Sequence, residues 1–469
     1  MSSAKYNNTT KLTIGLVDAD LLDNGTRHPN LVLLKIAGFL NDHGICFELI
    51  LDPKTDVSKY DRIYLSRVFT FTAMPAFYEM AKGTPVQKKF VLGGTGFYAD
   101  EPNIKIFAKK RTLDMNRLEN DNFLNRFSNT KGGSCKFGID MVRQMPYYHL
   151  YDNYVDKQVK LGFNRHKFKD YLYFSIGFLT RGCIRHCPFC INKLEATVRP
   201  HSKLEWFDDQ EKDEKGHFIR KYIYLWDDNF LASDISVWKP LLQQLIDYGK
   251  PFQFRQGLDE RVLALSPHGE EMAKMLSKSK YYGDFIFAFD NWRDRIIIEK
   301  ALKIWKRYNP KKGTKFYLLC GFKQKKNDRE SFYRDIWELF QRIRILMQYG
   351  CTVYIMRHQD YHNAPLSNLY IQIARWCNQV KFYKKMSFWE FSYRNQSYWE
   401  EHTLPPNGRP KLIKFEKFEQ NIADGYYEHI NMCPSLRSIV NILNMFPEQR
   451  NELLEMFNYK MSNLCNSEL

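Results

Sequence analysis

No apolar run in this 469-residue chain approaches the ~18 residues that a membrane-crossing helix needs. The longest candidate, residues 31–40, is interrupted by Lys35, so no membrane partner is expected. Residues 1–11 are polar and carry no apolar core of a secretory signal, which makes the cytoplasm the default location. There is no internal repeat and no low-complexity tract. Acidic residues are the scarcer charge: 53 Asp and Glu stand against 70 Lys and Arg, a formal charge of +17. A protein this basic often meets an anion such as nucleic acid, a phosphorylated substrate or a membrane surface, although a solvated basic surface carries the same signature. With 44% hydrophobic and 26% charged residues, the composition is that of a globular protein and excludes a disordered or collagen-like chain. The length suggests about three domains and a core large enough to need no disulfides.

The fold class expected is α/β. Residues 12–17, 46–51, 62–65 and 89–92 read as buried strands, with helical spacing over 30–43 and 75–81. Short strands alternating with helices imply a parallel sheet with crossover helices. Residues 1–110 are therefore expected to form an open, flavodoxin-like domain. Residues 111–168 have weaker periodicity and read as a connector. A second alternation follows, with strands over 171–178, 222–226, 251–255, 284–289, 315–320 and 351–356. The intervening helices span 235–248, 269–277, 293–308, 329–349 and 366–377. Six βα units fall short of the eight of a full barrel, so residues 169–380 are expected to form a partial (β/α)6 barrel. Residues 381–469 form a small, mostly helical C-terminal extension with a turn at 404–410. In such folds the chemistry sits at the C-terminal ends of the strands.

Seven of the ten cysteines are scattered singly; Cys320 and Cys351 sit in apolar, strand-like runs and read as core residues. The other three, Cys183, Cys187 and Cys190, follow the first strand of the second alternation with the spacing C-x3-C-x2-C. Thiolates are soft ligands suited to iron–sulfur clusters or zinc. A [4Fe–4S] cluster normally takes four protein ligands, so three would leave one iron open. A zinc site is the rival, with His186 or His201 as fourth ligand, although zinc motifs usually show two cysteine or histidine pairs.

This segment closely resembles the radical S-adenosylmethionine (SAM) superfamily, in the spacing of Cys183, Cys187 and Cys190, in Phe189 before the last cysteine, and in the six βα units. The resemblance covers residues 170–380 or so. It implies a [4Fe–4S] cluster whose open iron is chelated by SAM, and reductive cleavage of SAM to methionine and a 5′-deoxyadenosyl radical that abstracts hydrogen from a substrate. It also implies an electron donor such as flavodoxin or ferredoxin. At the end of the second barrel strand the family often carries a Gly-Gly-Glu pattern that binds the SAM amino group. Here that place is taken by Asp227-Asp228-Asn229, a form similar to members that also carry a cobalamin domain; loop polarity or helix capping is the plainer reading. Arg255, at the end of the third strand, is of the residue type that pairs with the SAM carboxylate, with a surface salt bridge as the equal alternative. Gly321, at the end of the fifth, would let backbone approach the adenosine.

The N-terminal alternation looks like the cobalamin-binding domain of the B12-dependent subgroup, with Gly93, Gly94 and Gly96 in the place of that domain's glycine-rich loop. One departure stands out. Where histidine-ligated cobalamin domains carry Asp-x-His-x-x-Gly, this chain has Asp18 to Gly25 with no histidine. Nearby His28 is off pattern and reads as a helix-start residue beside Pro29. Either cobalamin binds without a protein histidine, or the domain is a scaffold.

Basic residues also concentrate late in the barrel. Residues 301–350 hold thirteen Lys and Arg against four acids, and Lys323, Lys325 and Lys326 fall on the loop after the fifth strand. With Arg181, Arg185 and Arg357 on other loops at strand ends, they point to an anionic substrate, either a small molecule or a nucleic acid. The competing reading of the whole chain is a non-catalytic nucleic-acid-binding protein with a structural zinc or iron–sulfur site.

Overall fold

The computed structural model describes residues 12–26, 28–119, 121–123, 139–403, 420–421, 424 and 431–465. Cys135 and the turn expected at 404–410 lie outside the described residues. The fold is α/β with parallel sheets. The chain divides into two compact units, residues 1–237 with 248–255, and residues 238–247 with 256–469.

The first unit opens with a four-stranded parallel sheet of β1 (Thr13–Asp18), β2 (Cys46–Leu49), β3 (Arg62–Ser66) and β4 (Phe90–Gly93), in the order β2-β1-β3-β4. Strand β1 is central, and Ile14, Leu16 and Val17 are fully buried. Its two faces feed two apolar clusters, Leu16 one and Val17 the other, as strand alternation requires. The helix Leu31–Asp42 covers one face. It is capped by Asn30, whose carboxamide oxygen accepts the N–H of Leu33 at 3.2 Å, and Gly44 follows in the left-handed region where only glycine is unstrained.

The region read as a connector contains regular structure at both ends. A helix spans Ile104–Glu119, across the boundary expected at 110, and another spans Asp152–Lys160. The strand expected from 171 starts later. Residues Lys169–Leu172 form a helical turn, because Tyr171 and Leu172 are drawn into the N-terminal core and the Tyr171 hydroxyl meets Thr26. Strand β5 is then Phe174–Gly177; with β8 (Tyr222–Leu225) and β9 (Phe252–Phe254) it makes a parallel sheet in the order β5-β8-β9. Two short strands, β6 (Thr180–Arg181) and β7 (Arg199–Pro200), pair antiparallel between them.

The second unit holds a parallel sheet of β10 (Phe285–Ala288), β11 (Thr314–Cys320) and β12 (Thr352–Arg357), with β11 central. Helices Arg295–Tyr308 and Arg329–Gln348 make the crossovers, and Ser367–Cys377 packs on β12. Cys320 and Cys351 are buried here, as their apolar surroundings predict. The C-terminal region is helical where described, with Phe388–Thr403, Pro434–Met445 and Arg450–Phe457. Among the described residues, no helix is long and apolar enough to cross a membrane.

Candidate metal centre

The three clustered cysteines sit on one excursion of the chain, closed at its neck. β6 leads into the loop and β7 leads out, with Thr180 opposite Pro200 and Arg181 opposite Arg199. Below them His201 donates its N–H to Leu179 O at 2.8 Å and Ser202 to Phe178 O at 3.2 Å. Gly182 enters the loop with φ +101, and a Cβ there would collide with the Thr197 carbonyl oxygen. Only glycine lets the two arms approach this closely.

Within the loop Cys183, Cys187 and Cys190 are half-buried, and none is joined in a disulfide. The Cys190 N–H meets Cys187 O at 3.0 Å, a turn that brings the last two cysteines together. Sulfur also receives N–H groups: Arg185 donates its backbone N–H to Cys183 Sγ at 3.3 Å, and Asn192 to Cys190 Sγ at 3.4 Å. The Asn229 carboxamide lies 3.3 Å from Cys183 Sγ. Such donors stabilise thiolate charge and tune iron–sulfur centres. Among the described residues no group of three His, Cys, Asp or Glu is gathered tightly enough to hold one metal ion. In a cluster each thiolate binds its own iron, so its sulfurs stand further apart than those on a single ion. The donor set and its hydrogen bonds fit a cluster with three protein ligands.

The Asp227-Asp228-Asn229 run lies beside this neck, and its side chains point at it. Strands β5 and β8 pair up to Gly177 and Leu225, and the pairing continues beyond the sheet. The Trp226 N–H donates to Gly177 O at 2.9 Å. The Asp227 carboxylate accepts the N–H of Thr180 (2.6 Å), the Thr180 hydroxyl (2.6 Å) and the N–H of Leu179 (3.2 Å). Asp228 Oδ2 accepts the N–H of Gly182 at 2.8 Å and Arg181 Nε at 3.1 Å. Burial pushes the Asp227 carboxyl up to about 7, against the downward pull of Thr180 and Leu179. These residues hold the cysteine loop to the end of β8, one contact after another.

Arg255 follows β9 at the same edge of the sheet. Its N–H donates to Leu225 O at 2.7 Å, and its guanidinium lies 5.7 Å from the Tyr224 ring centroid. It forms no ion pair among the described residues. Phe189 is half-buried within the loop. His186 is exposed; His201 packs its ring against Phe178, and burial, reinforced by Arg181, Lys35 and Arg199, pushes its imidazole down to about 4. His28 is not a helix-start residue in the structure. It precedes the cap Asn30, lies 2.8 Å from Asp170 Oδ2, and meets the Trp226 ring edge-on at 5.8 Å.

In the second unit, Gly321 has φ +73, and a Cβ there would collide with Tyr361. Its N–H donates to Asp335 Oδ2 at 2.8 Å, so the glycine is required by its own neighbours. Lys323 follows in the left-handed region, its N–H on Asp360 Oδ2 at 2.9 Å, and Lys323, Lys325 and Lys326 are exposed. Arg357, exposed at the end of β12, lies over the Tyr361 ring.

The glycine-rich loop after β4 does not fit a corrinoid cradle. Gly94 donates its N–H to the Asp114 carboxylate at 3.0 Å, and a Cβ there would run into the Arg67 carbonyl oxygen. Gly96 donates to Arg67 O at 2.9 Å, and its Cβ would lie 2.8 Å from Phe69 O. The close approach that demands glycine is to the protein's own segment 67–69. The carboxylates after β1 are committed too. Asp18 accepts Leu21 N–H (3.1 Å) and the Tyr151 hydroxyl (2.8 Å), and Asp20 accepts the N–H groups of Val68 (2.7 Å) and Phe69 (3.2 Å) and the Thr72 hydroxyl. Asp20 thus ties the residues after β1 to the segment 68–72 after β3, at the carboxyl ends of both strands.

The loop's return arm is gripped by residues that no sequence motif singles out. Arg111, from the helix Ile104–Glu119, pairs with Glu195, and Lys193 lies 4.8 Å over the Phe107 ring. No local pattern marks these partners. The chain matches no model of a known protein family and no curated protein.

Proposed function

We propose that this chain is a radical SAM enzyme. Its N-terminal sheet would be a flavodoxin-like domain, and its six later parallel strands those of a partial (β/α)6 barrel. The observation that carries the reading is the C-x3-C-x2-C loop at the carboxyl end of a parallel strand, with N–H donors on two of its sulfurs. Cys183, Cys187 and Cys190 would hold a [4Fe–4S] cluster with one open iron. When bound, the cluster supplies the one-electron reduction that cleaves SAM to methionine and a 5′-deoxyadenosyl radical able to take hydrogen from a substrate.

The remaining assignments concern this chain's own side chains. Arg255 presents a planar guanidinium fork suited to the SAM carboxylate, on a sheet edge it shares with the cysteine loop. Asp227 and Asp228 accept hydrogen bonds from the neck and thereby fix the path of the backbone into Cys183. Asn229 steadies the Cys183 sulfur. The exposed Lys323, Lys325 and Lys326 after β11 and Arg357 after β12 support an anionic substrate. A corrinoid is left out of this function, since the residues after β1 and β4 do not fit one.

The test is anaerobic reconstitution with iron and sulfide, followed by assay of 5′-deoxyadenosine formation from SAM with a strong reductant. Near-stoichiometric cluster and reductant-dependent 5′-deoxyadenosine are expected. Stoichiometric zinc with no iron in anaerobically purified protein would overturn the proposal.

A further inference from the structure

We infer that the N-terminal domain acts as a clamp on the cysteine loop, with Arg111 and Glu195 as the positioning pair; this rests on the cluster reading above. The loop leaves its neck at Gly182 and returns at Arg199, so 16 residues separate its two ends. An excursion of that length carries its own conformational entropy, and three thiols can converge only if both arms are held. The outgoing arm is fastened by Asp227, Asp228 and Asn229, as described. The return arm is fastened from a different element.

The helix Ile104–Glu119 supplies that fastening. Phe107, Arg111 and Asp114 stand at i, i+4 and i+7, on one helical face. Each grips a different element. Asp114 accepts the Gly94 N–H at 3.0 Å and so ties the helix to the loop after β4. Arg111 pairs with Glu195; only 13% and 18% of these two side chains is exposed. Phe107, fully buried, takes the Lys193 ammonium on its ring at 4.8 Å, and that ammonium also reaches Glu101 O at 3.5 Å. Glu195 Oε2 approaches the neck as well, 3.3 Å from where a Gly182 Cβ would stand. Cys190 therefore lies between two fixed points, the neck and the Lys193–Glu195 grip, with Asn192 bonding its sulfur in between.

Glu195 also lies 3.8 Å from Arg199 Nη2 at the neck, so loss of Arg111 leaves it a second, longer and more exposed partner, whereas loss of the Glu195 charge takes the carboxylate from both arginines. The loss falls on the arm next to Cys190, since Glu195 stands on that arm. This gives the N-terminal domain a role that needs no ligand of its own.

The experiment uses the full chain in two states. Iodoacetamide alkylation of the apoprotein, followed by mass spectrometry, reads Cys183, Cys187 and Cys190 against Cys46 as an internal control. Iron per chain and the electron paramagnetic resonance spectrum are read after anaerobic reconstitution. Arg111→Met and Glu195→Gln should each speed alkylation of the three loop cysteines about tenfold, the equivalent of roughly 1.4 kcal/mol, with Cys46 unchanged. Both should lower iron content and broaden the spectrum, whereas Arg111→Lys, which keeps the charge, should stay within about twofold of wild type. If the wild type takes up its cluster and Arg111→Met and Glu195→Gln match it in alkylation and iron, the clamp is overturned and the cluster reading stands. A wild type that takes up no iron overturns both. Should Arg111→Met fail to fold by circular dichroism, Glu195→Gln alone decides.

Discussion

Asp228 accepts the backbone N–H of Gly182 at 2.8 Å, which fastens the end of β8 to the residue preceding Cys183, on the loop that follows its neighbour β5. The same oxygen takes Arg181 Nε, so one carboxylate holds both the backbone and a side chain of the neck. A substitution here acts on the loop before it acts on any bound molecule. Asp228→Ala removes two charge-assisted hydrogen bonds, each worth about 1.5–3 kcal/mol. It should lower iron per chain after reconstitution severalfold. Asp228→Asn keeps an acceptor oxygen and should retain most of it. Normal iron in Asp228→Ala, accompanied by weakened SAM affinity, would instead make the carboxylate a SAM contact.

Each of the three loop cysteines should be indispensable for the cluster and nearly irrelevant to stability. All three are half-buried rather than part of the fully buried core. Cys183→Ala, Cys187→Ala and Cys190→Ala should each abolish cluster absorbance and SAM cleavage. The apoprotein's urea midpoint should move by the equivalent of no more than about 0.5 kcal/mol, the usual scale for substitutions outside the core. A large loss of stability in any one would mark that thiol as structural.

Gly182→Ala combines two penalties: a backbone at φ +101 and a Cβ driven into the Thr197 carbonyl. Strain of this kind costs about 1–3 kcal/mol, and the clash adds to it. Gly216 is a matched control, with φ +79 and nothing within 4 Å of its would-be Cβ. Gly216→Ala should cost about 1–2 kcal/mol and leave iron loading intact. Gly182→Ala should both destabilise more and fail to load. Equal behaviour of the two variants would show that the neck does not need the close approach.

Much of the backbone was legible because strands repeat a short apolar code. The expectations for 12–17, 222–226, 315–320 and 351–356 fall within a residue or two of β1, β8, β11 and β12. The cysteine spacing was legible for the same reason: it is local. What could not be read was which group each flagged residue meets. The resemblance puts Asp227 and Asp228 where the family binds an ammonium group, and in the structure their carboxylates accept backbone N–H groups some 46 to 48 residues away in sequence. The glycines after β4 imply a close approach, and Gly94 and Gly96 make one, to the Arg67 and Phe69 backbone. Arg111 and Glu195, 84 residues apart, had no sequence signal at all. Long-range charge pairing carries no periodicity, so it appears only once the chain is folded.

Asp18 gives the first unit a pH dependence with a definite sign. Burial pushes its carboxyl up to about 6, although Tyr151 and the Leu21 N–H pull the other way. Between the ordinary value of 3.8 and about 6, the folded chain binds more protons than the unfolded one. Stability contributed by this group is therefore full below the lower value and declines as pH rises through the upper. The decline amounts to about 3 kcal/mol at most, at 1.36 kcal/mol per unit. Asp18→Asn should remove it. Urea midpoints of wild type and variant, compared across this window, check the claim; an unchanged wild-type slope in Asp18→Asn would assign the pH dependence to other groups.

The lysines after β11 offer the sharpest test of substrate charge. Lys323 holds a left-handed backbone with its N–H fixed on Asp360, so the loop presents its side chains from a defined turn. Lys323, Lys325 and Lys326 are exposed, and among the described residues none of them forms an ion pair. Exposed cations attract polyanions mainly by releasing counterions, and affinity then falls by about 0.7 to 0.9 of a logarithmic unit per phosphate contacted for each tenfold rise in salt. A short single-stranded RNA is a suitable probe. Wild type should bind it with a steep salt dependence, and the triple variant with Lys323→Ala, Lys325→Ala and Lys326→Ala should show a slope shallower by about two to three phosphate contacts at the single-strand value. A single Lys→Ala elsewhere on the basic surface, such as Lys160 in the Asp152–Lys160 helix, should shift the slope by no more than about one contact. Wild-type binding that ignores salt, or a triple variant with the wild-type slope, would mean that this loop takes no phosphate and that the +17 is a property of the surface at large.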